Sequence, residues 1–266
     1  MTERADSPYL LDNRRDEAGD RFLALAAVYD PMTTGHFDTL GVGAGWRCLE
    51  VGAGGGSIVR HLSERVGPTG RVLATDIEPR FLDPLGDLPN VDVCRHDVVV
   101  DPLPEEEFDL IHARLVLVHV PERLTAIHRL VQALRPGGWL LIEDGDGVLT
   151  GDSCLDPQTD DEHLANRMRA GLIELLKERG VDFGFARSLV RILRSEGLVD
   201  VAGDGYVALS DAVRILERAN ILQLREAYVA GGLATEPEIE RFLAWLEEPH
   251  PELAAPFVFS AWGRRP

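Results

Sequence analysis

"CLEVGAGGGSIVRHL", residues 48–62, runs from an apolar strand pattern through a glycine-rich loop into a helical pattern. "WRCLEV" reads as a buried strand, and "SIVRHLSERV" sets Ile58, Leu62 and Val66 in register on one helical face. Strand, glycine turn and helix form the opening unit of an open α/β sheet, which binds ligands beyond the carboxyl ends of its strands. Gly52, Gly54 and Gly56 permit backbone dihedrals and close ligand approach that a Cβ forbids. A tight strand-to-helix turn needs glycine for structural reasons too, so the loop alone leaves both readings open. Glu50 adds a constraint. Phosphate is the usual guest of such loops, and a carboxylate two residues ahead of the loop repels it.

The pattern continues outward. "GRVLATD" predicts a second strand, residues 78–90 a helix, "VDVCRHD" a third strand and "FDLIHA" a fourth. "PERLTAIHRLVQALRPGG" predicts a helix with Leu124, Ile127, Val131 and Leu134 facing inward, stopped by Pro136-Gly137-Gly138, and "WLLIED" a fifth strand. Short aliphatic strands alternating with helices imply a parallel sheet covered on both faces. Ahead of it, "DEAGDRFLALAAVYD" predicts a helix broken at Pro31, followed by a short helix in "PMTTGHFDTLG". After residue 150 long helical stretches interrupt the alternation, one opening with Thr235 and Glu238 at capping-box spacing. "VAGDGYVALS" and "PFVFSAW" read as the last two strands. The implied organisation is a helical cover over residues 1–45 and one domain over 46–266, with helical insertions near 151–180 and 210–248.

Composition narrows the partners. Asp and Glu number 45 against 27 Lys and Arg, a formal charge of −18. That balance lacks the clustered cations that nucleic acid or an anionic membrane surface requires. No run approaches the roughly 18 apolar residues that cross a bilayer, and the first twenty residues carry no leader pattern. Cys48, Cys94 and Cys154 are scattered, with no CxxC pair, so neither a disulfide framework nor a metal site is expected, and a cytoplasmic setting fits.

Three features bear on the ligand. No Gly-Lys-Ser/Thr follows the loop, which excludes a P-loop, and Ser57 replaces the last glycine of a dinucleotide fingerprint. Glu50 suits a ligand carrying ammonium or sulfonium charge. Asp76 ends the second strand at the distance where a carboxylate accepts from ribose hydroxyls, and Asp97 ends the third, placed for an exocyclic amine. A carboxylate at a strand end can instead be a helix cap or a surface residue. A nucleoside with positive charge and no phosphate is S-adenosylmethionine.

"LEVGAGGGS", "ATDIEP", "RHDVV", "FDLIHARLVLVHV" and "LRPGGWLLIED", in this order and spacing over roughly residues 45–145, resemble the class I S-adenosylmethionine-dependent methyltransferases. "VYDPMT" and the closing "WGRRP" resemble a subgroup of small-molecule methyltransferases from actinobacteria. The resemblance implies a Rossmann-like α/β fold: a seven-stranded, mostly parallel sheet with helices on both faces and the last strand antiparallel. It implies that Glu50, Gly52, Ala53 and Gly54 hold the methionine portion of the donor. Asp76 and Ile77 would meet the ribose, Asp97 and Val98 frame the adenine, and Ala113 and Arg114 lie near the sulfonium and the methionine carboxylate. S-adenosylhomocysteine would be the product.

Methyl transfer to a hydroxyl benefits from a general base, and His119, past the fourth strand, is the first candidate. His112, His36, Asp144 and Asp146 are the others; His112 also reads as a core residue of the fourth strand, and the two aspartates as turn formers. The expected activity is methylation of a small molecule in secondary metabolism, at oxygen first, with nitrogen and carbon acceptors open. Two alternatives stay open from sequence: a cofactor-retaining cyclase or binding protein on the same fold, and an NAD-dependent oxidoreductase, which Ser57 and Asp97 argue against.

Overall fold

The central strands Arg47–Val51 and Phe108–Arg114 form from apolar runs buried on both faces, while the outer strand Val199–Tyr206, "VDVAGDGY", is largely exposed. The computed structural model describes Leu11 and residues 18–149, 151–248 and 253–266. The rest of the 1–45 stretch read as a cover lies outside the described residues. The strands are β1 (Arg47–Val51), β2 (Arg71–Asp76), β3 (Val91–Arg95), β4 (Phe108–Arg114), β5 (Leu134–Asp146), β6 (Val199–Tyr206) and β7 (Phe257–Arg264). They form one sheet in the order β3-β2-β1-β4-β5-β7-β6. The β1–β2, β1–β4, β2–β3 and β4–β5 pairs are parallel, and β6–β7 is antiparallel. This is the seven-stranded, mostly parallel arrangement expected. The order turns back between β1 and β4, which makes their carboxyl ends the switch point.

The described chain divides into two units. The first comprises Tyr29–Asp146, Gly184–Tyr206 and Val258–Pro266 and holds most of the sheet. On one face Leu49, Ile111 and Ile142 pack with Ala126, Ile127, Leu130 and Ala133 of α3 (Arg123–Ala133) and with Leu189 and Leu193 of α5 (Leu189–Ser195). On the other, Cys48, Leu110 and Leu141 pack with Ile58, Val59, Leu62 and Val66 of α2 (Ser57–Val66) and with Phe37 and Leu40 of α1 (Ala18–Leu40).

Three local expectations are corrected. The helix does not stop at Pro31: α1 runs continuously over 23 residues with Pro31 inside it. Proline removes one backbone donor, a loss the helix survives here because Tyr29, Thr33 and Phe37 beside it are buried. Residues 79–85 form a 3₁₀ helix, not an α-helix; Pro84 inside it has no N–H to give an α-helical bond. The inner face of α3 is Ala126, Ile127, Leu130 and Ala133, and Leu124 is exposed. The alanines let the helix backbone approach the sheet, and counting only large apolar residues misses them.

The second unit comprises the described residues of Met1–Val28 with Gly147–Phe183 and Val207–Phe257. It holds the helices α4 (Asp160–Glu178), α6 (Asp211–Ala230) and α7 (Glu236–Leu246), at the stretches read as insertions. The Thr235–Glu238 capping box forms, and Thr159–Glu162 makes a second one on α4. Arg169 and Glu217 make a buried ion pair between α4 and α6. Among the described residues no helix is long and apolar enough to cross a membrane.

The α3 correction has a measurable consequence. Leu130→Ala, at a position 0% exposed, should lower the unfolding free energy by about 2–5 kcal/mol. Leu124→Ala, at 58% exposure, should change it by roughly 0.5 kcal/mol or less, as read by urea denaturation.

Candidate functional site

The carboxyl ends of β1, β2 and β4 meet at the glycine loop. Gly52, Gly54 and Gly56 all have positive φ, at 65°, 53° and 76°. A Cβ on Gly52 would come within 2.4 Å of Val116 Cγ2, and one on Gly56 within 2.3 Å of Leu85 Cδ1. The need for glycine at 52 and 56 therefore comes from protein packing as well as from φ. The loop is tied to β2 by two bonds, Ala53 N–H to Thr75 O and Gly54 N–H to Asp76 Oδ2, both 2.9 Å. Asp76 Oδ1 accepts from Glu78 N–H at 2.9 Å. Burial raises the Asp76 pKa, while these backbone donors hold it back. Each Asp76 oxygen retains a lone pair beyond its N–H bond. Ile77 beside it is exposed.

Asp97 Oδ1 accepts from Val99 N–H at 2.9 Å in a turn, where no helix follows for it to cap. The side chains of Val98 and Ala113 belong to the core against α3. Arg114 ends β4, giving Nη1–H to Thr33 Oγ1 at 2.9 Å and Nη2–H to Asp30 Oδ1 at 2.8 Å. His119 ends the 3₁₀ turn Leu117–His119 and is half-buried, its N–H bonded to Val116 O.

Glu50 has an internal partner. Its carboxylate lies under α1 and accepts from His112 Nδ1 at 2.7 Å. His112 Nε2 reaches Glu143 Oε2 at 3.2 Å, Glu143 Oε1 meets His36 Nδ1 at 2.7 Å, and His36 Nε2 meets Asp204 at 3.2 Å. Thr33 Oγ1 donates to Glu143 Oε2 at 2.5 Å. Acid and imidazole thus alternate across β1, β4, β5, α1 and β6, with Asp204 half-exposed at the outer end. Phe37 meets the His112 ring edge-on and Trp262 lies against His36.

Burial would strip the proton from His112, but the Glu50 charge and hydrogen bonds to Glu143 and Glu50 prevail and lift its pKa to about 9. Burial would raise Glu143, yet the hydrogen bonds from His112 and His36 bring it down to about 2. Glu50 itself is raised by burial, against the pull of His112 and Arg114. His36 is raised as well: burial opposes its charge, and Glu143 and Asp204 outweigh burial.

Asp144 and Asp146 are not turn residues: both are buried in β5. Asp146 pairs with Arg187. Burial lifts Asp144 to about 8, while the N–H groups of Val116, Leu117 and Val118 and the Arg123 charge oppose the rise. Those amides face the carboxyl without closing a bond of normal geometry. Sequence reasoning passed over Glu143, Asp204, Thr33 and Asp30. Only Glu143 carried a signal, a lone charge closing the apolar run "WLLIED".

The row makes stability depend on pH at the alkaline side. His112 is raised from 6.5 to about 9, so its contribution is full below about 6.5 and is lost as pH rises through about 9. Urea midpoints of the wild type should fall between those values. His112→Gln should remove that slope and cost about 3–5 kcal/mol at neutral pH, because two carboxylates lose their counter-charge.

Residues 49–140, which contain the loop, Asp76, Asp97, Arg114 and His119, match a family model described as a methyltransferase domain. The methyltransferase str2 of Strobilurus tenacellus is 40% identical over 102 residues, covering 38% of this chain and 36% of that protein. The ubiquinone/menaquinone biosynthesis C-methyltransferase UbiE of Pseudomonas aeruginosa is 35% identical over 140 residues, covering 46% and 55%. The chain thus spans between about a third and about half of the length of these relatives. Among solved structures, a SAM-dependent methyltransferase from Aquifex aeolicus superposes with TM-score 0.52 at 18% identity, covering 94% of this chain and 98% of the other. The Haemonchus contortus phosphoethanolamine N-methyltransferase 2, in complex with phosphomonomethylethanolamine and S-adenosylhomocysteine, gives TM-score 0.53 at 17% identity, with coverage of 84% and 50%. Residues 49–140 thus resemble a methyltransferase domain, and the chain shares its Rossmann-like fold with solved methyltransferases.

Proposed function

We propose that the protein transfers a methyl group from S-adenosylmethionine to an oxygen of a small molecule in natural-product biosynthesis. One observation carries the reading: the stretch matching a methyltransferase domain is the stretch whose glycine loop, Asp76 and Arg114 meet at the switch point of the sheet. The residues there fit the donor. Asp76 has lone pairs for the ribose hydroxyls and the exposed Ile77 lies beside it. Asp97 and the backbone of Val98 frame the adenine. Arg114 presents a guanidinium suited to the methionine carboxylate, near Ala113, Glu50 of β1 and the loop residues Gly52, Ala53 and Gly54.

When bound, the donor supplies an electrophilic methyl on its sulfonium. The protein's task is to align the acceptor, and orientation is worth roughly 7–11 kcal/mol over an unassisted encounter. His119 takes the acceptor's hydroxyl proton as general base. A charge of −18 speaks against nucleic-acid acceptors, and free Cys48, Cys94 and Cys154 fit a reducing cytoplasm. The likeness to str2, and to a C-methyltransferase of quinone biosynthesis, supports a small-molecule acceptor. The organisation that goes with this reading is a cover over residues 1–45 and the methyltransferase domain over 46–266.

Thermal-shift titration tests the donor. S-adenosylhomocysteine should raise Tm and NADH should not, and Asp76→Asn should weaken S-adenosylhomocysteine by about tenfold or more, the scale of a charged hydrogen bond. A shift with NADH alone sinks the reading.

Turnover tests the base. With a panel of phenolic acceptors, His119→Gln should cut kcat by about 10²–10⁴ while donor affinity holds. Undiminished S-adenosylhomocysteine release from that variant would remove His119 from the mechanism.

A further inference from the structure

Asp30 stands on α1 immediately before Pro31, and its carboxylate is gripped from the switch point of the sheet. Arg114 at the end of β4 gives Nη2–H at 2.8 Å, and Ser57, the first residue of α2, gives its hydroxyl at 3.1 Å. His61 Nε2, one turn along α2, lies 3.5 Å away. A guanidinium edge, a hydroxyl and an imidazole around one carboxylate make an anion site, and a residue of α1 fills it. Glu143, by contrast, is sealed: the Asp30 and Arg114 side chains keep 14% and 11% of their surface in solvent, enough for exchange from outside.

The α1 backbone is weakest at this place. Pro31 has no N–H for the carbonyl of Ala27, so the turn carrying Asp30 lacks one helical bond. Arg114 is held on its other nitrogen by Thr33, whose hydroxyl also reaches Glu143. Thr33 therefore anchors the far side of the guanidinium whether or not Asp30 stays.

We propose that Asp30 is an internal stand-in for a ligand carboxylate, and that the amino-acid end of the donor must displace it from Arg114. This rests on the donor reading above and adds a competition to it. Donor binding then frees the Asp30 turn of α1, and donor departure lets Asp30 return. Occupancy sets the strength of the effect: if Asp30 holds Arg114 for about nine-tenths of the time, the apparent donor affinity is about tenfold below the intrinsic one.

Calorimetric titration of the full chain tests this with two probes, S-adenosylhomocysteine and 5′-methylthioadenosine, which has the same nucleoside but no amino-acid end. Asp30→Asn and Asp30→Ala should each bind S-adenosylhomocysteine about tenfold more tightly than the wild type, with 5′-methylthioadenosine unchanged. Wild-type binding with equal or weaker binding by the variants overturns the stand-in and leaves the donor reading intact. Tightening of both probes alike also overturns it, because the gain would then not belong to the carboxylate. Failure of all three proteins to bind S-adenosylhomocysteine overturns the proposal together with the donor reading. Melting curves of the ligand-free variants confirm that folded proteins are compared.

Discussion

Two buried carboxylates sharing one imidazolium set the terms for the sheet face under α1. Glu50 and Glu143 are both nearly inaccessible, and His112 lies between them. Moving a charge out of water costs several kcal/mol even after relaxation, so neither acid is tolerable alone. Strand geometry supplies the answer: Glu50 and His112 are register partners on β1 and β4. Glu143 follows on β5, opposite Arg114 and diagonal to His112. The remaining lone pairs of Glu143 go to Thr33 and His36, both on α1. The helix is thus bound to the sheet by polar bonds beside the apolar packing of Phe37 and Leu40. This accounts for a helix that survives an internal proline.

The glycine loop inherits its shape from the same constraint. With β1 and β4 held together by the Glu50–His112 pair, the chain after β4 passes directly over Gly52, and Val116 occupies the space a Cβ would need. Gly56 is fixed from the other side by Leu85 of the 3₁₀ turn. Asp76 then closes the loop by accepting from Gly54 N–H. A loop immobilised by its own protein neighbours can present its backbone to a ligand without further ordering, which lowers the entropic cost of binding.

The sheet was legible because it is written locally: most strands are short apolar runs bounded by turns, and a buried run between two helical patterns needs no partner to be recognised. The capping box at Thr235 was legible for the same reason, since its two bonds lie within four residues. The packing face of α3 was misread because alanine carries little hydrophobic weight in a pattern but allows the closest backbone approach. Pro31 was misread because its penalty is local while its compensation comes from Thr33 and Arg114, far apart in sequence. The acid–imidazole row was invisible for this reason above all. His36 meets Glu143 across 107 positions and Asp204 across 168. No spacing rule connects them; only the fold does.

The row also revises what an acidic residue before the loop means. From sequence, Glu50 reads as charge held ready for a cationic guest. In the structure that charge faces an imidazolium kept protonated by two carboxylates, so the pair presents little net field outward. On the proposed donor reading, selection against phosphate falls to Asp76 and Asp30. Asp76 points its carboxylate at the loop amide of Gly54, which a phosphate would otherwise use, and Asp30 occupies Arg114 at the end of β4. A phosphate entering here meets amides already bonded and a guanidinium already paired. A ligand whose one carboxylate can replace Asp30, and whose hydroxyls can bond to Asp76, meets neither obstacle. The discrimination arises from which donors are taken, and Glu50's part in it is to hold the strands that place them.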